Sequence, residues 1–522
     1  MEFSMEKFND HSLASALLTA FLAWLLYSIG QAIHRLYFSP IANFPGPRLA
    51  AVSFWYEIYY DVYLGGQYTF KIIRLHEEYG PIIRINPYEL HVSSPDFIEK
   101  LYAGPGNRRD RWGWFTKQFG MPDATFGSND HDTHRMRRQA INPFFSKLAV
   151  RNLQPMIDER VEALLTRFRE FRASGKPIIL DHAFSAYTND IAHEYTFGHS
   201  DHRVDQHDFE PKFHAASVAG SSGGCVIKHW PWTLFLMQSL PDRFMTWLDP
   251  NMSSFFDLLK GIRKQIQEMK SVSSDSKDTD HRTILYEILN SDLPPKEKSD
   301  KRLAQDGQAM IVAGTVTTSW ALCLAAYYLI SQPETLKKLK KELSEALDGP
   351  NSIVPLAVLE KLPYLTGCVQ ECIRLSYGAC TRLQRIAPDE TLVFNDGKKD
   401  WFIPPGTPVG MTSVQIHHDE SIFPESRKFL PERWIDNPRL FKYVLSFSKG
   451  TRQCVGINLA YAELYVVLAR MFRGYGSKET RFEDDVGYLE LFETTAEDVE
   501  LTRDIFIPVA KAGSKGVRIA VK

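Results

Sequence analysis

What this chain is short of narrows it first. Its 522 residues include six cysteines, Cys225, Cys323, Cys368, Cys372, Cys380 and Cys454, and no two form a C-x-x-C pair. So sparse and irregular a set argues against a disulfide scaffold or a structural zinc site and suits a reducing compartment. Net charge is scarce too. Sixty-one Lys and Arg against 63 Asp and Glu leave a formal charge of −2, so no global basic field points to nucleic acid. No internal repeat is visible, and no G-x-S-x-G marks a hydrolase nucleophile. The stretch "HHDES" (417–421) lacks the H-x-x-x-D spacing of an acyltransferase. Finally, no Asp, Glu, Lys or Arg occurs between Asp10 and Arg35.

That last gap holds "LASALLTAFLAWLLYSI", Leu13 to Ile29. Extended to Ile33, the run is long enough to cross a bilayer of about 30 Å as a helix. A cleaved signal peptide is the rival reading, but the flank before the run is acidic and no small-residue cleavage site follows. Arg35 and Arg48 come next, with no acid until Glu57, so the positive-inside bias puts the bulk of the chain in the cytoplasm. The expected division is a short lumenal N-terminus (1–12), a transmembrane anchor (13–33), a Pro-rich hinge (34–50, with "SPIANFPGPRLA") and one large domain (51–522). With 44% hydrophobic residues, the chain has ample material for a sizeable core.

Along that domain, "GPIIRINPYELHVSS" reads as a hairpin around Asn86-Pro87. From Arg135 to about Leu347 the patterns are helical, with two expected interruptions. One is "AGSSGGC" (219–225), read as a loop between helices; the other is the polar "SVSSDSKDTD" (271–280). A helix near Leu362–Tyr377 follows, then β-type runs around "ETLVFNDGKKDWFIPPGTPV". The expected class is mostly α with a small β portion.

One cysteine has a distinctive frame. "FSKGTRQCVG" fits F-x-x-G-x-R-x-C-x-G through Phe447, Gly450, Arg452, Cys454 and Gly456, just ahead of a helical pattern. Each residue has a physical task if Cys454 ligates haem iron as a thiolate. Helix amides and dipole stabilise the negative sulfur, and Gly450 permits a tight turn. Gly456 lets backbone approach a flat ring, Arg452 can pair with a propionate, and Phe447 shields the sulfur.

Cys454 and this frame resemble the haem-binding loop of cytochrome P-450 monooxygenases, and the resemblance runs over nearly the whole chain. "ECIR" supplies Glu371 and Arg374 on one helical face, and "FLPERW" supplies Arg433. In that family the three form a buried structural ion network. "AGTVTTSWAL" (313–322) is similar to the oxygen-binding stretch of the long central helix. There Ala313 and Gly314 would open a groove over the haem, and Thr317 would hydrogen-bond dioxygen and help deliver protons. The family usually carries an acid just before that threonine; here it is Val316. Water, Thr317 or Thr318, or a substrate hydroxyl would then have to stand in. His134 and Arg138 in "HRMRRQAINPFFSK", and Arg385 in "TRLQRIAP", resemble the propionate-gripping residues, whereas Arg135 and Arg137 read as a solvated face.

The resemblance implies haem b ligated by Cys454, dioxygen as co-substrate, and electrons from an NADPH-cytochrome P-450 reductase, with cytochrome b5 as a further donor. It implies a single-pass protein of the endoplasmic reticulum membrane with its catalytic domain in the cytosol, oxidising an apolar small molecule. The anchor, "FPGPRLA", "RLSYG" and "GINLAYAEL" look closest to fungal microsomal members of secondary metabolism similar to trichodiene oxygenase, which act on terpenoids. Val316 keeps a haem-thiolate dehydratase, isomerase or oxidative-coupling enzyme in view, as well as a non-catalytic haem-binding protein tethered to the membrane. The expected substrate lining is residues 105–129, 209–236, 310–317, 376–383 and 506–509. Within and beside it, Trp112, Trp114, Phe115, Phe119, Tyr377, Phe506 and Ile507 suit an apolar ligand. The C-terminal "DIFIPVAKAGSKGVRIAV" resembles the family's last hairpin, whose tip enters that chamber.

Overall fold

The uncharged N-terminal run is helical, α1 (Phe3–Ile33), and passes into a π-type turn, His34–Phe38, before Ser39 becomes extended. Helix therefore continues five residues past the expected limit at Ile33, because nothing breaks it before Pro40. Leu13–Phe38 has mean hydropathy 1.8, and its apolar window is buried nowhere against protein. The structure, a computed structural model, describes residues 3–241, 243, 244, 247, 251–272 and 283–522.

A small sheet lies on one side of the molecule. Strands β1 (Ile82–Arg84) and β2 (Leu90–Val92) pair antiparallel as the expected hairpin. The Asn86 Oδ1 makes that turn by accepting from the amides of Tyr88 and Glu89. β2 then runs parallel to β4 (Pro408–Gly410), which pairs antiparallel with β3 (Arg385–Ile386). Elsewhere 392–395 pairs with 400–403, and 178–179, 518–521, 487–491 and 475–477 form a second four-stranded sheet. Strands β5 (Arg503–Ile505) and β6 (Ile507–Val509) make a tight hairpin of their own. Residues 518–521 join the second sheet, so the C-terminal hairpin is much shorter than the sequence suggested.

Most of the core is helical: α2 (His131–Ile141), α3 (Gln154–Ser174), α4 (Leu180–Phe197), α5 (Pro211–His229), α6 (Asp300–Ser331), α7 (Pro363–Ser376) and α8 (Ile457–Gly474). Helix α6, 32 residues long, crosses the centre with Ala321, Leu322, Leu324, Ala325 and Leu329 packed into the main core. It too is apolar enough for a membrane, yet 61% of its apolar window is buried in protein.

The expected loop at "AGSSGGC" is instead the middle of α5. Small residues there serve close approach rather than a break: a Cβ on Gly224 would lie 2.9 Å from the Gln118 carbonyl oxygen. Of the second expected interruption, Ser271 and Val272 end the helix Asn251–Val272, and 273–280 lie outside the described residues.

The far end of α5 is locked by charge. The buried Lys228 ammonium pairs with Glu57 and Asp61, each at 2.7 Å. Burial works against that charge, but Asp61 and Glu57 outweigh it and hold the lysine protonated. Arg382 bridges Glu57 and Glu89 from β-sheet territory, so α5, residues 57–61 and the sheet share one buried network.

Candidate haem-binding site

Two chain segments set the Cys454 loop in place. The fully buried Glu371 on α7 uses both oxygens. Its Oε1 accepts from Arg374 at 2.8 Å, Arg433 at 3.0 Å and the Leu430 amide at 3.0 Å. Its Oε2 accepts from Arg374 Nε and Trp434 Nε1, both at 2.9 Å. Arg374 then donates to the carbonyls of His417 and Ser426. His417 carries the chain of contacts onward. Its Nε2 accepts from the Leu445 amide at 2.8 Å, which leaves Nδ1 to donate to the Arg374 carbonyl. Two residues further, at Phe447, the cysteine loop begins.

Within that loop Gly450 has φ +70°, and a Cβ there would lie 2.2 Å from the Ala103 carbonyl oxygen and 2.3 Å from that of Tyr102. Only glycine fits. The Cys454 amide donates to the Phe447 carbonyl at 2.9 Å, and the Phe447 ring packs 5.6 Å from that of Tyr461. α8 starts just behind. Five of the six cysteines are buried; Cys454 alone is exposed. The protein mass around the sulfur nonetheless raises the thiol pKa. The Gly456 amide and Arg138 act the other way, favouring thiolate.

Around this loop stands an unusual set of cations. Arg138, on α2, donates to the Gln453 carbonyl at 2.8 Å and to Asn142. Arg385, on β3, donates to Ser448 Oγ at 2.9 Å. Arg452 donates to the carbonyls of Ser128 and Asn129, while its Nε has no partner. Arg111 donates to the Phe126 carbonyl and lies 4.5 Å over the Phe126 ring. None of the four pairs with a carboxylate among the described residues. Burial pushes Arg452 down to about 9 and Arg385 to about 10. Burial also lowers Arg111, and Arg385, Arg452 and Arg138 lower it further. Buried His134 makes no side-chain hydrogen bond among the described residues. Burial, then Arg452, Arg111 and Arg138, hold its pKa near 2, so the ring is neutral.

Arg385 and Arg452 are buried, Arg111 and Arg138 half-buried, and Asp110 and Asp130 act on Arg452 without forming an ion pair with it, so these converging guanidiniums are best completed by an anion. The two propionates of haem would be such anions, and the exposed Cys454 sulfur beside them would be the ligand for its iron. The residues therefore fit the group. Arg111 escaped the sequence reading. It sits in "RDRWGW", outside any recognisable motif, and only the fold brings it to the other three arginines. Arg137 also departs from the reading as a solvated residue. It pairs with Glu297 at 2.7 Å and with Ser128 Oγ at 2.9 Å, tying down the loop that holds Arg452. Arg135 is exposed, as expected.

Above the loop runs α6. Ala313 is exposed in the middle of this central helix, and Thr317 one turn on is half-buried, its Oγ1 donating to the Ala313 carbonyl at 2.9 Å. Gly314 faces α4, where an added Cβ would come 3.2 Å from that of Ala192. Val316 packs with Ile505 and Ile507 of the β5–β6 hairpin and with Val218 and Val312. These packing partners are all apolar, which gives Val316 a physical reason. Val316→Glu is expected to lower the thermal midpoint of the haem-loaded protein without raising turnover. Burying a carboxyl unpaired among those side chains costs about 2–7 kcal/mol.

The expected aromatic lining divides. Phe119 and Phe506 meet, centroids 4.8 Å apart, and Phe126 closes the group at 4.7 Å from Phe119. Ile507 belongs with them through Val316. Trp112 and Trp114 instead stack on Phe54, and Phe115 lies beneath Lys228 and Arg382. Tyr377 turns away altogether: its hydroxyl meets His418 Nε2 at 2.7 Å and its ring stacks on His417.

The chain belongs to the cytochrome P450 family, whose profile matches residues 45–487. It is 48% identical over 500 residues to cytochrome P450 monooxygenase tpcC of Cochliobolus heterostrophus, covering 95% of each chain. It is 44% identical to cytochrome P450 monooxygenase astB of Talaromyces wortmannii, over 95% of this chain and 96% of that one. Tryptophan 6-hydroxylase fscE of Fusarium equiseti is 38% identical over 96% of both. The protein is thus a cytochrome P450 monooxygenase, an oxidoreductase.

In such a site, Arg452→Ala is expected to weaken haem retention about ten- to a hundredfold, the worth of one charge-assisted hydrogen bond. The measurement is haem-to-protein ratio after repeated gel filtration.

Proposed function

We propose that the protein hydroxylates an apolar small molecule of secondary metabolism, a terpenoid or a compound of similar apolarity, at the cytosolic face of the endoplasmic reticulum. Electrons come from NADPH through a cytochrome P450 reductase, with cytochrome b5 as an auxiliary donor. The observation that carries the reading is the exposed Cys454 thiol with four arginines around its loop, none paired with a carboxylate among the described residues. The apolar Leu13–Phe38 helix supports single-pass anchoring. Aliphatic and phenyl side chains at Val316, Ile505, Ile507 and Phe119 favour a substrate with little polarity.

Cys454 would ligate the iron, Arg111, Arg138, Arg385, Arg452 and neutral His134 would hold the propionates, and Gly450 would keep the loop tight. When bound, haem supplies the reductive activation of dioxygen and the transfer of one oxygen atom. The chain's own part is orientation and proton handling. Thr317 Oγ1 gives its hydrogen to the Ala313 carbonyl, so it presents lone pairs to the chamber. It can accept from water or a substrate hydroxyl, and donates to either only by turning its hydrogen about the Cβ–Oγ bond and giving up the Ala313 carbonyl. With valine at 316, no carboxyl beside it supplies that proton. Glu371, Arg374 and Arg433 act at one remove, by holding the segment that leads to the cysteine.

The test is conversion in microsomes with reductase, NADPH and isotopically labelled oxygen gas. Label in the product supports hydroxylation. An NADPH-independent, label-free product would favour the dehydratase or isomerase reading, which the apolar surroundings of Val316 keep alive. Thr317→Ala is expected to divert NADPH consumption towards hydrogen peroxide, read as peroxide formed per NADPH.

A further inference from the structure

The bend between β5 and β6 is one residue long: Ile505 pairs with Ile507, leaving Phe506 at the tip with φ +80°. That backbone conformation favours glycine, and a bulky residue holds it only where the surroundings enforce it. Here they do. The buried Asp504 carboxylate accepts the Phe506 amide at 2.9 Å, the Cys380 thiol at 3.2 Å and the Thr69 hydroxyl at 2.5 Å. The Cys380 amide donates back to the Phe506 carbonyl at 3.2 Å, and the Asp504 amide donates to the Gly66 carbonyl at 2.9 Å. Both polar backbone groups of Phe506 are thus pinned, one by the carboxylate and one by Cys380. Burial and the adjacent carboxylate keep the Cys380 thiol protonated, so the sulfur donates. The side chain so aimed meets Phe119 and Phe126, beside Val316 of α6.

We propose that Asp504 is a positioning residue: by fixing Phe506 in the left-handed conformation it sets the depth of the distal chamber and so which part of a ligand is presented. The inference rests on the haem-thiolate reading above. Asp504 touches no reacting group. It acts through the phenyl ring, and the carboxylate's other donors, Thr69 and Cys380, come from distant parts of the chain, so the tip is referenced to the frame rather than to its own short hairpin.

The test uses purified haem-loaded protein and two azole probes, imidazole and 4-phenylimidazole, titrated by the Soret shift. Imidazole reports access to iron; the phenyl derivative also reports room above it. Asp504→Ala and Phe506→Ala are expected to change the ratio of the two dissociation constants in the same direction, by about fivefold or more. Asp504→Asn, which keeps one acceptor, is expected to stay closer to wild type. Amide exchange of 503–509, followed on the same preparations, is expected to quicken in Asp504→Ala with little change elsewhere. If Phe506→Ala shifts the ratio and Asp504→Ala leaves it within about twofold, or if neither shifts it, the proposal is overturned. Should Asp504→Ala not accumulate, Thr69→Val removes one of the three donors and is read by the same ratio and the same exchange. Wild type that binds neither azole would sink the haem reading, and the exchange measurement would still judge the positioning of the tip.

Discussion

Cys454→Ser is expected to abolish the strongly red-shifted Soret band of the reduced, carbon monoxide-bound protein and to bring turnover below detection. Serine keeps the loop's volume and leaves Gly450, the Gly456 amide and Arg138 in place, so the substitution isolates the sulfur. The hydroxyl is far less acidic than the thiol, and neither one amide nor one guanidinium suffices to ionise it. The electron donation of thiolate is then lost. Because the four arginines remain, haem is expected to stay bound in part, and the spectrum of a non-thiolate haem should replace the original one. Retention of the red-shifted band would mean that another residue ligates iron. The other cysteines, all buried, make poor substitutes.

The second large effect is expected far from any ligand. Glu371→Ala should remove about 3–5 kcal/mol of stability, a large share of what a typical protein has in hand. Glu371 takes five hydrogen bonds, and its removal leaves Arg374, itself fully buried, with a charge facing no acid. The carbonyls of His417 and Ser426 solvate Arg374 but do not neutralise it. Thermal unfolding and haem content are expected to fall together, because the Arg374–His417–Leu445 chain of contacts leads into the cysteine loop. Arg374→Lys is expected to be nearly as damaging, since an ammonium cannot span both Glu371 oxygens and two carbonyls at once. Normal stability with normal haem content in Glu371→Ala would refute the coupling.

Much of this was legible in the chain. The F-x-x-G-x-R-x-C-x-G frame puts every residue within ten positions, and local spacing survives folding. E-x-x-R worked for the same reason, since a helical turn brings Glu371 and Arg374 to one face. What failed were contacts made across the sequence. Arg111 reaches the cradle only because the 108–130 segment wraps back onto the loop at 450. Tyr377 looked like lining from its neighbours, but its own left-handed backbone turns it to His417 and His418. "AGSSGGC" was misread because glycine and serine signal loops when exposed, whereas against Gln118 they are the residues that let a helix come close. The Asp504 device has no sequence signature, as its partners Thr69 and Cys380 lie more than a hundred residues away.

The Lys228 network has a consequence for motion. Swinging α5 outward as a separate body would strip a fully enclosed ammonium from both of its carboxylates and leave three acids, Glu57, Asp61 and Glu89, facing Arg382 alone. Such a rupture is among the costliest a protein can undergo. Any opening that admits a bulky molecule therefore carries 57–61 along with α5 as one rigid piece. The give must come at joints beyond the lock.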